Sequence, residues 1–252
     1  MLRGQCRACK QPIPVRYPLV EFIVGIWFAA VALHGFLLSF FITSGEFAAN
    51  SPAQIVILAI GIAILGFLLI GLIVMDWQTH ILPDAFTLTG VAIGLFLVCL
   101  QAIFLAPHQG DVILNTTRQL RLSSPGSNAV HGNIFLTGTE ALVWGRLAAV
   151  IGAALLLLVV RWLYQLIRHR EGLGLGDVKL IAMIAAFLGF WPAILALFIG
   201  VLGATAYALF LLIGARANRL TRLPLGSFIS VGGLVASLFG NHLFNMYTTM
   251  LR

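Results

Sequence analysis

Polar and apolar positions along the chain do not alternate at any short period. They separate into blocks. Apolar runs occupy 18–42, 53–75, 85–106, 142–167, 178–191, 192–214 and 225–247. A helix needs about 20 residues to cross the hydrocarbon core of a bilayer, and most of these runs reach that length. The run after Asp177 is broken by Gly189-Phe190-Trp191-Pro192, which predicts a tight turn between two helices. The pattern therefore predicts an all-α fold, a polytopic bundle of about seven membrane helices, and no internal repeat is visible.

Composition turns that pattern into a compartment. Of the 252 residues, 60% are hydrophobic and 9% are charged. Soluble domains carry about 25% charged residues, and a soluble fold of this size could not bury so much apolar surface. The net charge of +7 sets topology rather than attracting nucleic acid, because no basic run is interleaved with aromatics in a nucleic-acid-binding pattern. Arg3, Arg7, Lys10 and Arg16 precede the first run, Arg161, Arg168 and Arg170 close the fourth, and Arg216, Arg219 and Arg222 precede the last. Alternating spans put all of them on one side, which the positive-inside rule makes the cytoplasm. Loop 43–52, without Lys or Arg, falls outside. So does 107–141, rich in Gly, Ser, Asn and Pro, which predicts a long irregular loop. Two segments follow, a cytoplasmic N-terminal stretch 1–17 and a transmembrane domain 18–252. No secretory signal peptide is visible, since the first apolar run is long enough to span and stay.

The chain has only eight acidic residues, so each can be weighed. Glu46, Asp111 and Glu140 fall in or beside outside loops. Asp76 ends the second run, and Asp84 begins the third after Trp77-Gln78-Thr79-His80-Ile81-Leu82-Pro83. Asp84 suits a helix N-terminus, whereas Asp76 sits at a helix C-terminus, where the dipole disfavours a carboxylate. Asp177 follows Gly172-Leu173-Gly174-Leu175-Gly176, and glycines at alternate positions loosen a helix and let two backbones approach closely. The stretch is not a phosphate loop: no strand precedes it, and neither a GxGxxG spacing nor a following GK[ST] is present.

By the same alternation Asp76 and Asp177 lie at similar depth on one side. Two facing carboxylates cannot both ionise cheaply, so they share a proton. One can then act as base on a water while the other, protonated, polarises a carbonyl. No HExxH or GxSxG motif offers a competing chemistry, and the six His are scattered. A transporter binding a cation or proton is the rival reading, but its acids belong near the bilayer midplane on broken helices rather than at one edge. An inactive relic of the same fold is the other.

Asp76 and Asp84 around Leu82-Pro83, followed downstream by Gly174-Leu175-Gly176-Asp177-Val178-Lys179-Leu180, resemble the two aspartate motifs of prepilin peptidases. These are type IV leader peptidases, intramembrane aspartyl proteases of the GxGD type. Arg16-Tyr17-Pro18-Leu19-Val20-Glu21 is similar to the family segment entering a membrane helix. Leu223-Pro224-Leu225-Gly226-Ser227-Phe228 is similar to its Pro-Phe-Gly-Pro-Phe-like segment.

The resemblance implies Asp76 and Asp177 as the catalytic pair, with Asp84, Gly174, Gly176, Lys179 and Glu21 in support. It implies cleavage of the basic leader of type IV prepilins or pseudopilins, serving type IV pili or type II secretion. That cleavage would take place at the cytoplasmic face of the bacterial inner membrane, and proteolysis would need no cofactor. Bifunctional members add N-methylation from S-adenosylmethionine and a cytoplasmic domain with two CxxC pairs, thought to bind metal. This chain begins at the second pair, Cys6 and Cys9, which cannot complete a four-ligand zinc site alone, so it reads as an N-terminally short form. Cys99 sits in an apolar run as a packing residue. Loop 107–141 lengthens the Asp76-to-Asp177 separation beyond the family pattern, which a loop outside the membrane tolerates at little entropic cost.

Overall fold

A computed structural model describes residues 14–43, 52–114, 139–168, 174–213 and 224–250. Those residues form seven helices and no strand. The helices are α1 (Arg16–Thr43), α2 (Pro52–Thr79), α3 (Asp84–Leu114), α4 (Thr139–Arg168), α5 (Leu175–Leu188), α6 (Phe190–Ile213) and α7 (Leu225–Met250). The chain is thus a multi-pass helical membrane protein. α1, α2, α3, α4 and α6 each contain a stretch long and apolar enough to cross a bilayer. Large apolar side chains such as Phe22, Phe67, Phe96, Leu155, Phe198 and Phe210 point outward. In water such a surface would be unstable, whereas lipid removes the penalty.

Two expectations are adjusted. The outside loop predicted over 107–141 is helical at both ends, because α3 continues to Leu114 and α4 begins at Thr139; the stretch between them lies outside the described residues. The turn predicted over 189–192 contracts to Gly189 alone, at φ 98° and ψ 179°. Its N–H donates to Ala185 O at 2.9 Å and closes α5, while its carbonyl accepts from Ala193 N–H at 3.2 Å and opens α6. A positive φ here favours glycine. Pro192 sits within the first turn of α6, where a missing N–H leaves no bond unmade.

α5 is the axis of the bundle. It packs against α2, α3, α4, α6 and α7. With 14 residues it is about 21 Å long, shorter than the hydrocarbon thickness. Asp177, Val178 and the whole of 180–186 are buried, so this helix is apolar all round because it has no lipid face. Leu180, Ile181, Met183 and Ile184 meet Leu65, Leu69 and Leu72 of α2 and Ile229 of α7, all fully buried.

Glycines set the distances between neighbouring helices. A Cβ at Gly200 would lie 2.7 Å from Ile229 Cα, and one at Gly232 would collide with the carbonyl oxygen of Ala196, so α6 and α7 touch backbone to backbone. Without a solvent-driven hydrophobic force inside lipid, such close contact is what holds helices together. On the other flank Gly66 of α2 receives the Trp27 ring of α1. The obstacle at Gly232 is backbone, which cannot step aside. Gly232→Val is therefore expected to destabilise the bundle by about 2 kcal/mol or more, read as a lowered unfolding temperature in detergent; an unchanged temperature would contradict the α6–α7 packing.

Candidate active site

The C-terminal end of α2 meets the N-terminal ends of α3, α5 and α7 at one end of the bundle. α2 stops because His80 takes a left-handed φ of 52°, and its N–H donates to Asp76 O at 2.9 Å. Thr79 Oγ1 donates to Met75 O at 2.8 Å and accepts from Ile81 N–H at 3.3 Å. This short tied loop turns Ile81 outward and tucks Leu82 inward. Pro83 O then accepts from Phe86 N–H at 3.1 Å and starts α3.

Asp76, in the last turn of α2, is buried, with 5% of its surface exposed. Its Oδ2 accepts the Ser227 N–H at 2.6 Å and the Ser227 hydroxyl at 2.9 Å. Ser227 is the third residue of α7, so the carboxylate sits on the positive end of that helix, supplied with donors that α7 cannot satisfy internally. The unfavourable position of Asp76 on its own helix is thereby offset by a favourable one on another.

Asp177, 9% exposed, is the third residue of α5. Its carboxylate accepts the N–H of Gly174, the N-cap residue, and it feels the Asp76 carboxylate electrostatically. A carboxylate three residues after the N-cap reaching back to the cap amide is half of a capping box. The two buried acids are thus brought within electrostatic reach, each holding a helix N-terminus.

Leu82 is the wedge between their helices. A Cβ at Gly176 would stand 3.1 Å from Leu82 Cβ, and one at Gly226 would stand 2.9 Å from Leu82 Cδ1 and 3.2 Å from Asp76 Oδ2. Glycine at both places lets α5 and α7 close around the loop. Beside them Trp77, Tyr207 and Phe228 form a run of rings, with centroids 6.1 Å apart for the first pair and 5.4 Å for the second. Trp77 is 54% exposed, as suits an aromatic at a membrane–water boundary.

The supporting residues separate. Lys179 Nζ pairs with Asp84 Oδ1 at 2.6 Å, joining the start of α3 to α5. Gly174 and Gly176 stand beside Asp177. Glu21 is not brought to the pair: it lies exposed on α1, with no hydrogen bond or ion pair among the described residues. Cys6 and Cys9 lie outside the described residues. Ser227, Gly226 and Leu82 were not singled out as site residues from sequence. The signal for them was Pro224 and a small-residue pair just before an apolar run, which marks a helix start but not what that start faces.

Comparison with known proteins bears on what this constellation is. The Bacterial Peptidase A24 N-terminal domain matches residues 1–35. The Type IV leader peptidase family matches 128–209, which includes Asp177 and its glycines. Over these segments the chain is similar to the type IV leader peptidase family. It is 29% identical to the prepilin leader peptidase/N-methyltransferase of Burkholderia pseudomallei (strain 1026b) over 95% of this chain and 60% of the relative. It is 30% identical to that of Pseudomonas putida over 96% and 65%, and 29% identical to that of Stutzerimonas stutzeri over 100% and 68%. The chain therefore spans about 60–68% of these curated relatives. No solved structure matches it.

The Lys179–Asp84 pair is partly open to water, at 34% and 61% side-chain exposure. Its coupling is expected at about 0.2–1 kcal/mol, measured as the interaction energy of a thermal double-mutant cycle with Asp84→Asn and Lys179→Met; a coupling several times larger would mean the pair is shielded by something bound over it.

Proposed function

We propose that the chain is an aspartic endopeptidase that removes the basic leader of type IV prepilins or pseudopilins. Two observations support this reading. In an otherwise apolar bundle, two buried carboxylates separated widely in sequence converge at one end. The relatives are named for prepilin leader cleavage.

Hydrolysis at such a pair follows from their electrostatics. Repulsion across a poorly solvated gap favours the state in which the two share one proton. The ionised carboxylate takes a proton from a water, whose oxygen adds to the scissile carbonyl. The protonated partner hydrogen-bonds the carbonyl oxygen as charge develops there. Collapse of the tetrahedral species returns a proton to the leaving amine, and the dyad regains its starting state. No metal or organic cofactor is required. The names of the relatives add N-methylation, which would need S-adenosylmethionine, whereas the hydrolysis proposed here does not.

The site faces the cytoplasm in this reading. The basic residues Arg16, Arg168 and Arg222 fall at or beyond the helix ends on the side that carries Asp76 and Asp177 when the helices alternate, and Arg161 lies within the last two turns of α4 on the same side. A substrate with a basic leader before an apolar helix, inserted in the same membrane, would present its junction at that edge.

Cleavage of a prepilin by the chain reconstituted in lipid vesicles tests the proposal. Asp76→Asn and Asp177→Asn should each lower the rate by about a thousandfold or more while the protein still inserts. Asp84→Asn, whose carboxylate is largely exposed, should change it by less than about tenfold. Parental activity in either of the first two variants would remove the dyad mechanism, and inactivity of the parent would remove the substrate assignment.

A further inference from the structure

We propose that Ser227 is a positioning residue that makes Asp76, rather than Asp177, the proton-accepting member of the pair. The proposal rests on the dyad reading above and assigns the two roles which that reading leaves symmetric.

When two carboxylates share a proton, the donors around them decide which one keeps it. Ser227 sends two donors to one atom: its N–H reaches Asp76 Oδ2 at 2.6 Å and its Oγ reaches the same oxygen at 2.9 Å. The hydroxyl has one proton and an alternative acceptor, Ile73 O, at 3.3 Å. The shorter contact, to an ionisable acceptor, is the stronger one. An oxygen that accepts two hydrogen bonds is held as the unprotonated oxygen, because a proton placed there would face two others. Each acid lies at a helix N-terminus, Asp76 at that of α7 and Asp177 at that of α5, so the helix dipoles act on both alike and the number of donors distinguishes them.

Asp177 receives a single backbone donor, from Gly174, and has the Asp76 carboxylate as its electrostatic neighbour. The shared proton therefore resides on Asp177. With Oδ2 of Asp76 occupied, Oδ1 is the oxygen left to take the proton of the attacking water.

The packing around Ser227 fits a fixed role. Gly226 before it has no side chain, and a Cβ there would lie 3.2 Å from the same Oδ2. Any larger residue would press the carboxylate away from its donors. Among charged or titratable groups on the surrounding helices, Lys179 of α5 and Asp84 of α3 pair with each other. Glu21 and Arg16 of α1, and His80 beyond α2, are exposed, and Tyr207 of α6 packs on Phe228.

A residue that only packed would affect folding and leave the dyad's titration alone. The experiment is steady-state prepilin cleavage in lipid vesicles across pH, for the parent, Ser227→Ala, Ser227→Thr and Ser227→Cys, with Asp76→Asn as the inactive control. Ser227→Ala keeps the N–H and loses the hydroxyl. Its kcat should fall about tenfold, the magnitude of one hydrogen bond to a charged group. Its KM should stay within about twofold, since substrate binding is not touched. The acid limb of its pH–rate profile should move to higher pH, because the accepting carboxylate has lost a donor.

Ser227→Thr restores the hydroxyl and should return both kcat and profile to the parental values. Ser227→Cys, with a weaker donor, should fall between them and tests the idea even if the alanine variant folds poorly. A parental kcat in Ser227→Ala, or a lowered kcat with an unmoved acid limb, would overturn the role of Ser227 while leaving the dyad intact. An inactive parent, or an active Asp76→Asn, would overturn the dyad reading and this inference with it.

Discussion

The fold depends on how a buried carboxylate can be tolerated at the end of an apolar bundle. An isolated anion taken out of water is expensive, and the cost falls only when donors meet it. Asp76 is met by the amide and hydroxyl of Ser227, Asp177 by the amide of Gly174. Both donor sets come from helix N-termini, where backbone N–H groups lack partners. The same contacts solve two problems at once. They give each acid a reason to be buried, and they cap two helices, α7 from Asp76 across the bundle and α5 from its own Asp177.

That arrangement explains why small residues crowd one end of the molecule. For the start of α7 to reach Asp76, Gly226 must pass Leu82 and the carboxylate with no side chain of its own. For α5 to approach the same loop, Gly176 must do likewise. Lower in the bundle, the backbone contact of Gly232 with Ala196 and of Gly200 with Ile229 carries α7 against α6. Close helix packing is the cohesive force available inside lipid. Here it also sets the depth at which the first turns of α5 and α7 arrive beside the last turn of α2.

The two acids are therefore alike in chemistry but not in surroundings. One oxygen of Asp76 carries two hydrogen bonds from a single residue, while Asp177 carries one from its own helix cap. In the proposed dyad the two acids compete for a proton, and the asymmetry in donors is what would resolve it. A pair so arranged can hold a base and an acid at one end of the bundle, which is what the proposed hydrolysis asks of it.

Much of this was legible in the sequence. Seven apolar blocks gave seven helices, within a few residues at most ends, because in lipid a backbone must satisfy its hydrogen bonds within its own segment, and block length is then nearly the whole message. Asp76 and Asp177 stood out because acids are scarce and their positions odd. The glycines before Asp177 announced close approach. The sequence did not show that Glu21 would stay on an outer face of α1, that Asp84 and Lys179 would pair with each other, or that the turn between α5 and α6 would need Gly189 alone. Nor did it single out Ser227, whose value lies in what stands opposite it across the bundle. Local pattern determines which segments become helices, since that follows from the chain's own contact with lipid and water. Which helix end faces which carboxylate is decided only by tertiary packing, because that depends on where the glycines let backbones meet.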